Sequence, residues 1–196
     1  ARAQDAFVSR LADLYHDHGL QLVAYRVSTH HWEYGLWQYF GESLAKVDYL
    51  ARNSYAYGDR FDLHDADGLM RLVKDVEAIR RYGHRVPPCI LTEIGYDSDP
   101  SLGIGHRGWR TRGIDAETYT TELIHALLRL SSAVPELVFM SPFLWQAEDP
   151  AWETFVLDQG GSELLVAKAE VAYGEPALPP MPAEPPLAEI VAEAQR

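Results

Sequence analysis

Apolar positions along this chain repeat with two different periods, and the two alternate. Phe7, Val8, Leu11, Leu14 and Tyr15 fall at three- and four-residue spacing, which predicts an amphipathic helix over 3–18 with Gly19 as its stop. "QLVAYRVS" (21–28) then reads as a strand. Trp37, Phe40, Leu44 and Val47 predict a short helix, and "VDYLARNSYAY" (47–57) a second strand. Leu69, Leu72, Val73, Val76 and Ile79 mark another helical face, ending near Gly83. "PCILTEIG" (88–95) is the third strand, with Pro87 and Pro88 at its entrance, where a missing N–H costs least. Asp115 is placed to cap a helix carrying Tyr119, Leu123, Ile124, Leu127 and Leu128. A fourth strand, "ELVFMSPFLWQ" (136–146), and a last helix over 163–173 complete the alternation.

Strand and helix in strict succession predict an α/β fold built on a parallel sheet, with strands apolar on both faces because helices cover them. No glycine-rich phosphate-binding pattern links a strand directly to a helix, which argues against a nucleotide fold. The glycine-rich stretch "SLGIGHRG" (101–108) follows the third strand and reads as a loop or a lid. From 174 the composition shifts to Pro, Ala and Glu. The expected layout is therefore one domain over 1–174 and an extended linker or tail over 175–196.

Charge and composition narrow the function. The 196 residues carry 17 Lys and Arg against 29 Asp and Glu, a net charge of −12. That balance disfavours nucleic acid or an anionic membrane as partner, since both need clustered cations. No apolar run is long enough to span a bilayer. The lone cysteine, Cys89, excludes an internal disulfide. Eleven Tyr and five Trp suit stacking on sugars as well as core packing. Eight histidines invite a metal reading, but His16 and His18 diverge on a helix, His30 and His31 diverge at a strand end, and no H-E-x-x-H pattern occurs. No metal and no cofactor is expected, and no G-x-S-x-G elbow supports a serine triad.

In βα folds chemistry collects at the carboxyl ends of strands. Here those ends carry Ser28, Thr29, His30, His31, Trp32 and Glu33; Asn53, Ser54 and Tyr55; Thr92, Glu93 and Tyr96; and Trp145, Gln146, Glu148 and Asp149. "LTEIGY" (91–96) resembles the seventh strand of the clan A retaining glycoside hydrolases, (β/α)8 barrels whose nucleophilic Glu lies in T-E-x-G or a similar motif. "VDYLARNSYAY" resembles their sixth strand, and "FLWQ" followed by "WETFVLDQGGS" (152–162) resembles the eighth, which leaves "QLVAYRVS" in the place of the fifth. The resemblance covers about 3–173 and implies the C-terminal half of such a barrel, strands five to eight.

The same resemblance implies an O-glycosyl hydrolase acting on β-linked glycans, with an oligo- or polysaccharide as partner. Glu93 would be its catalytic nucleophile, Tyr55 would hold that carboxylate, Asn53 would bond a substrate hydroxyl and Trp145 would stack on a sugar face. His30, Trp32, Tyr96 and Gln146 are the further substrate-binding candidates. The clan's acid/base sits in an Asn-Glu pair, and the only Asn here is Asn53, followed by Ser54. Four βα units also fall short of eight strands. The expectation is therefore that the acid/base Glu and the N-terminal half of the barrel come from outside this chain, as a missing segment or a partner chain. A non-catalytic carbohydrate-binding or scaffold half-barrel is the alternative, and a metal-dependent hydrolase a third. Glu93 could also cap a turn or simply pair with Arg26 or Arg52. The acidic, Pro-linked layout points to an extracellular or secreted bacterial protein.

Overall fold

The alternating periods become α1 (Arg2–Asp17), β1 (Val23–Val27), α2 (Gly41–Lys46), β2 (Tyr49–Tyr57), α3 (Arg71–Arg81), β3 (Cys89–Asp97), α4 (Ala116–Ala133), β4 (Leu137–Pro142) and α5 (Gln159–Tyr173). Short 3-10 turns occupy Tyr34–Tyr39, Trp109–Arg112 and Pro150–Phe155. A computed structural model describes residues 1–27, 33–57, 63, 68–97, 108–143 and 150–173. The glycine-rich stretch up to residue 107 and the tail over 175–196 lie outside the described residues.

Element ends follow local chemistry. Asp115 caps α4, its carboxylate accepting from Thr118 N at 2.7 Å. Gly83, at φ +75°, takes the left-handed turn that stops α3. Helix α5 begins four residues before the expected 163, because Asp158 accepts from Gly161 N at 3.0 Å and so caps a first turn whose two glycines disguise it. Strand β2 begins at Tyr49, two residues later than expected, since Val47 N still bonds Ser43 O at the end of α2. Strand β3 runs on to Asp97, past the expected end at 95, because Ser54 to Tyr57 of β2 continue to pair with Ile94 to Asp97.

The four strands pair in parallel in the order β1-β2-β3-β4, the order of the chain. Right-handed crossovers between successive neighbours place every connecting helix on the same face. A doubly wound fold would need a reversal of strand order, and there is none among the described strands. The sheet is thus single-sided and parallel, in the manner of a (β/α)8 barrel wall, and is open at β1 and β4 among the described residues. Its helix face is fully packed, with Phe40, Leu44, Leu50, Ile79, Leu91, Ile94, Leu123 and Leu130 at 0% exposure. The other face is uncovered towards its β4 side, where Phe139 is 56% exposed.

A buried charge fastens the helix face. Arg52 of β2 donates from Nε and Nη2 to Asp75 Oδ2 of α3 at 2.9 and 2.5 Å, and Trp37 Nε1 donates to Asp75 Oδ1 at 2.7 Å. The side chains of Arg52 and Asp75 are 3% and 0% exposed, so each charge depends on the other. Removing one member leaves an uncompensated buried ion, which costs about 3–5 kcal/mol. Asp75→Ala should therefore lower the urea-unfolding free energy by about that amount. A loss below about 1 kcal/mol would show that the pair is not the fastening described.

Candidate functional site

The open face of the sheet carries a connected polar cluster drawn from three strands. Tyr55 of β2 donates its hydroxyl to Glu93 Oε2 of β3 at 2.9 Å. Arg26 of β1 reaches across β2, donating from Nη2 to Glu93 Oε1 and from Nε to Asn53 Oδ1, the latter at 3.3 Å. Thr92 Oγ1 donates to the same Asn53 oxygen at 2.6 Å. Glu93 is 23% exposed and Arg26 59% exposed, so the ion pair lies at the surface of this face, not under it. Phe143, just past β4, sets its ring edge-on against Tyr55 at 5.7 Å, which restricts the phenol to a position that meets Glu93.

The register explains how these side chains share a face. Arg52 pairs with Leu91, and the next pair is Asn53 with Glu93, so β3 holds one extra residue, Thr92. Paired residues of parallel neighbours point the same way, so Leu91 and Cys89 follow Arg52 and Leu50 towards the helices, whereas Glu93 follows Asn53 to the open face. Simple alternation gives Glu93 the same face as Leu91 and Cys89, and the bulge at Thr92 overturns that expectation. For β2 alternation holds, and Ala51, Asn53 and Tyr55 share the open face. Gly95, two residues after Glu93, passes under this cluster. A Cβ there would stand 3.2 Å from Tyr119 Oη and 3.3 Å from Phe143 O, closer than ordinary contact, which is why the T-E-x-G glycine suits the position.

Glu93 is not at the end of its strand. The ladder continues for four residues to Asp97, so the carboxylate sits at mid-strand, recessed from the rim. Tyr96 turns away from the cluster. Three positions after Glu93 it faces the helices, fully buried, with its hydroxyl accepting from Arg112 Nε at 2.9 Å and the guanidinium 5.8 Å from its ring centre. His30, Trp32, Trp145 and Gln146 lie outside the described residues. The "WETFVLD" stretch shapes the fold beside the site. Trp109 Nε1 donates to Phe155 O at 3.2 Å and stacks on Tyr119 at 4.7 Å, and Phe155 meets Phe143 edge-on at 5.6 Å.

The sequence offers Arg26 as a neutralising partner for Glu93 but gives no sign that it also meets Asn53. Its signal was a lone cation in an otherwise apolar strand. Among the described residues no group of three or more His, Cys, Asp and Glu is arranged to hold a metal ion, and no helix is long and apolar enough to cross a membrane.

No protein-family model matches the sequence, and no curated protein matches it. Three solved structures are similar in fold. One is a mutant of an endo-β-1,3-glucanase of glycoside hydrolase family 128, subgroup I, from Amycolatopsis mediterranei, in complex with laminaritriose and laminaribiose; it has 18% identity, a TM-score of 0.48, and coverage of 82% of this chain and 65% of its own. Another is an active-site mutant of the Rhizomucor miehei β-1,3-glucanosyltransferase with laminaritriose, at 15% identity, TM-score 0.45 and coverage of 80% and 52%. The third is a subgroup VI exo-β-1,3-glucanase of the same family from Aureobasidium namibiae, at 15% identity, TM-score 0.46 and coverage of 80% and 55%. The chain spans between about half and two-thirds of the length of these proteins.

The bulge makes its own prediction. Thr92 Oγ1 is bonded to Arg52 O at 3.2 Å and to Asn53 Oδ1, tying the extra residue to β2. Thr92→Val keeps the shape and removes the one hydroxyl proton that these two oxygens share, and should cost about 0.5–1.5 kcal/mol. Urea denaturation measures it, and an unchanged midpoint would mean the bulge needs no such tie.

Proposed function

We propose that the chain carries the nucleophile side of a retaining glycoside hydrolase for β-linked glycans, with Glu93 as the attacking carboxylate. The observation that carries this reading is the Tyr55–Glu93 hydrogen bond on the open face of a parallel βα sheet. A carboxylate held by a phenol O–H on one oxygen is fixed in direction, as attack on an anomeric carbon requires. Asn53, beside it in register, offers its amide to a sugar hydroxyl, and Trp145 remains the proposed stacking platform.

Retention needs a second carboxyl group about 5–5.5 Å from the first. In this reading that acid/base comes from a complementary set of βα units that completes the barrel, inside a longer polypeptide or on a partner. Both lateral edges of the fold suit such a neighbour. Phe7 and Leu14 of α1 are 65% and 53% exposed at one edge, and Val166 and Val171 of α5 are 50% and 89% exposed at the other. A groove of about 400 Å³ between α4 and α5, lined by Ile124, Leu128, Leu164 and Val171 among others, continues the second apolar edge.

The same contacts also admit a non-catalytic reading. Both oxygens of Glu93 are engaged within the chain, by Tyr55 and by Arg26, as in a structural or ligand-orienting carboxylate. Kinetics on the complete protein separate the two readings. With a panel of β-linked glucans, Glu93→Gln should lower kcat by about three orders of magnitude or more while KM changes little, the pattern of a group needed only in the transition state. Product released by the wild type should keep the β configuration by NMR. Glucan binding without turnover in both proteins would favour the binding module, and near wild-type turnover by Glu93→Gln would remove Glu93 from the chemistry.

A further inference from the structure

Strand β1 contains an anomaly that the nucleophile alone does not account for. Tyr25 has φ +63°, the left-handed region, and among the described residues it is the one non-glycine with a positive φ. A bulky aromatic residue adopts that conformation only where its surroundings over-determine it. Those surroundings are present. The Tyr25 ring meets Trp37 edge-on at 5.7 Å and Phe40 at 5.0 Å, and its hydroxyl bonds Ser43 Oγ. Ser43 is in turn tied to Asp5 Oδ1 through both its amide and its hydroxyl, at 2.8 and 2.5 Å.

The register shows what this conformation changes. Ala24 pairs with Leu50 and Val27 pairs with Arg52, so β1 takes three steps where β2 takes two. Without the extra residue, Arg26 would pair with Arg52 on the helix face, and two guanidiniums would crowd the single carboxylate of Asp75. With it, Tyr25 turns to the helices and Arg26 turns to the open face. There the guanidinium spans β2, meeting Asn53 and Glu93, which are themselves a register pair. The carboxylate is thus held at Oε1 from β1 and at Oε2 from β2. A nucleophile fixed at both oxygens presents one direction of attack, which is how orientation lowers a barrier.

We propose that Arg26 is the positioning residue for the Glu93 carboxylate, and that the left-handed backbone of Tyr25 is what aims it. The inference rests on reading Glu93 as the nucleophile. It makes Tyr25 a residue selected for backbone conformation as well as for packing, and these two roles predict opposite rankings of substitutions. Glycine takes the left-handed conformation freely but fills nothing, whereas valine keeps apolar volume but resists a positive φ.

The test compares Tyr25→Gly with Tyr25→Val in the complete protein, with arginine labelled by heavy nitrogen so that the Arg26 Nε–H signal is read directly. Glu93→Gln identifies the signal, which should move when the carboxylate charge is lost. Tyr25→Gly should keep the Arg26 signal near its wild-type position and keep kcat within about tenfold. Tyr25→Val should shift the signal towards that of the Glu93→Gln protein and lower kcat by about a hundredfold. If valine is the better substitute, or if the two fall together, Tyr25 acts through packing alone and the proposal is overturned. Should Tyr25→Val fail to fold, the exposed Arg26 decides. Arg26→Met should lower kcat about a hundredfold with KM within about threefold, and Arg26→Lys should recover at least a tenth of the wild-type kcat. A change in KM alone, or none in either constant, would make Arg26 a substrate contact or a bystander. If the protein hydrolyses no glycan, the nucleophile reading fails on that result, whereas the Gly-against-Val contrast in the Arg26 signal still decides whether Tyr25 aims the guanidinium.

Discussion

Between the Arg52–Leu91 and Asn53–Glu93 pairs, β3 holds one residue more than β2, and the two faces of the sheet are sorted by that residue. Up to Leu91 the strand gives its large apolar side chains to the helices. A regular strand would put position 93 on that same buried face, where a carboxylate would need a buried counter-charge or would lose its ionisation. Thr92 shifts the parity, so Glu93 emerges on the open face while Ile94 and Tyr96 return to the core at 0% exposure. The strand thus serves packing along its whole length and still presents one acid outward. Bulges at functional positions are a general way to aim a side chain without giving up a ladder.

The helix face supplies the rigidity that such irregular strands need. Arg52 lies one residue before the β2 side of the bulge, and its buried pair with Asp75 locks that position to α3, with Trp37 closing the other carboxylate oxygen. Trp37 also packs against Tyr25 and Phe40. The same aromatic cluster therefore touches the anchor of the bulge in β1 and the anchor of β2. The two arginines of the sheet divide the work by face: Arg52 neutralises the core carboxylate, and Arg26 neutralises the open-face carboxylate. Exchange of their roles is prevented by the extra residue at Tyr25.

The sequence made the helices legible because each carries an apolar stripe of regular spacing, and Asp115 and Gly83 mark ends whose chemistry is local. The closeness of Tyr55 and Glu93 was also legible, since parallel neighbours align and β2 alternates without interruption. What alternation could not reveal was the extra residue in β1 or in β3, because an inserted residue leaves no trace in a pattern of apolar positions when both faces carry some apolar side chains. That is why simple alternation puts Cys89 and Leu91 on the same face as Glu93. The partner of Arg52 had a faint signal: Asp75 falls on the apolar stripe of Leu72, Val76 and Ile79, where a charge is out of place unless buried with its counter-ion. The start of α5 was hidden by Gly160 and Gly161, which read as loop until Asp158 is seen to cap them.

In the proposed reading, the bulge presents Glu93 as a nucleophile. An activated fluoro-sugar with a dinitrophenyl leaving group tests this role in isolation, because the leaving group departs without an acid catalyst and the fluorine slows release of the glycosyl-enzyme. Intact-mass spectrometry and peptide mapping read the outcome. The expected outcome is a single glycosyl adduct, carried by Glu93 and absent from Glu93→Gln. An adduct on a different carboxylate, or turnover of the same reagent with Glu93 replaced, would contradict it.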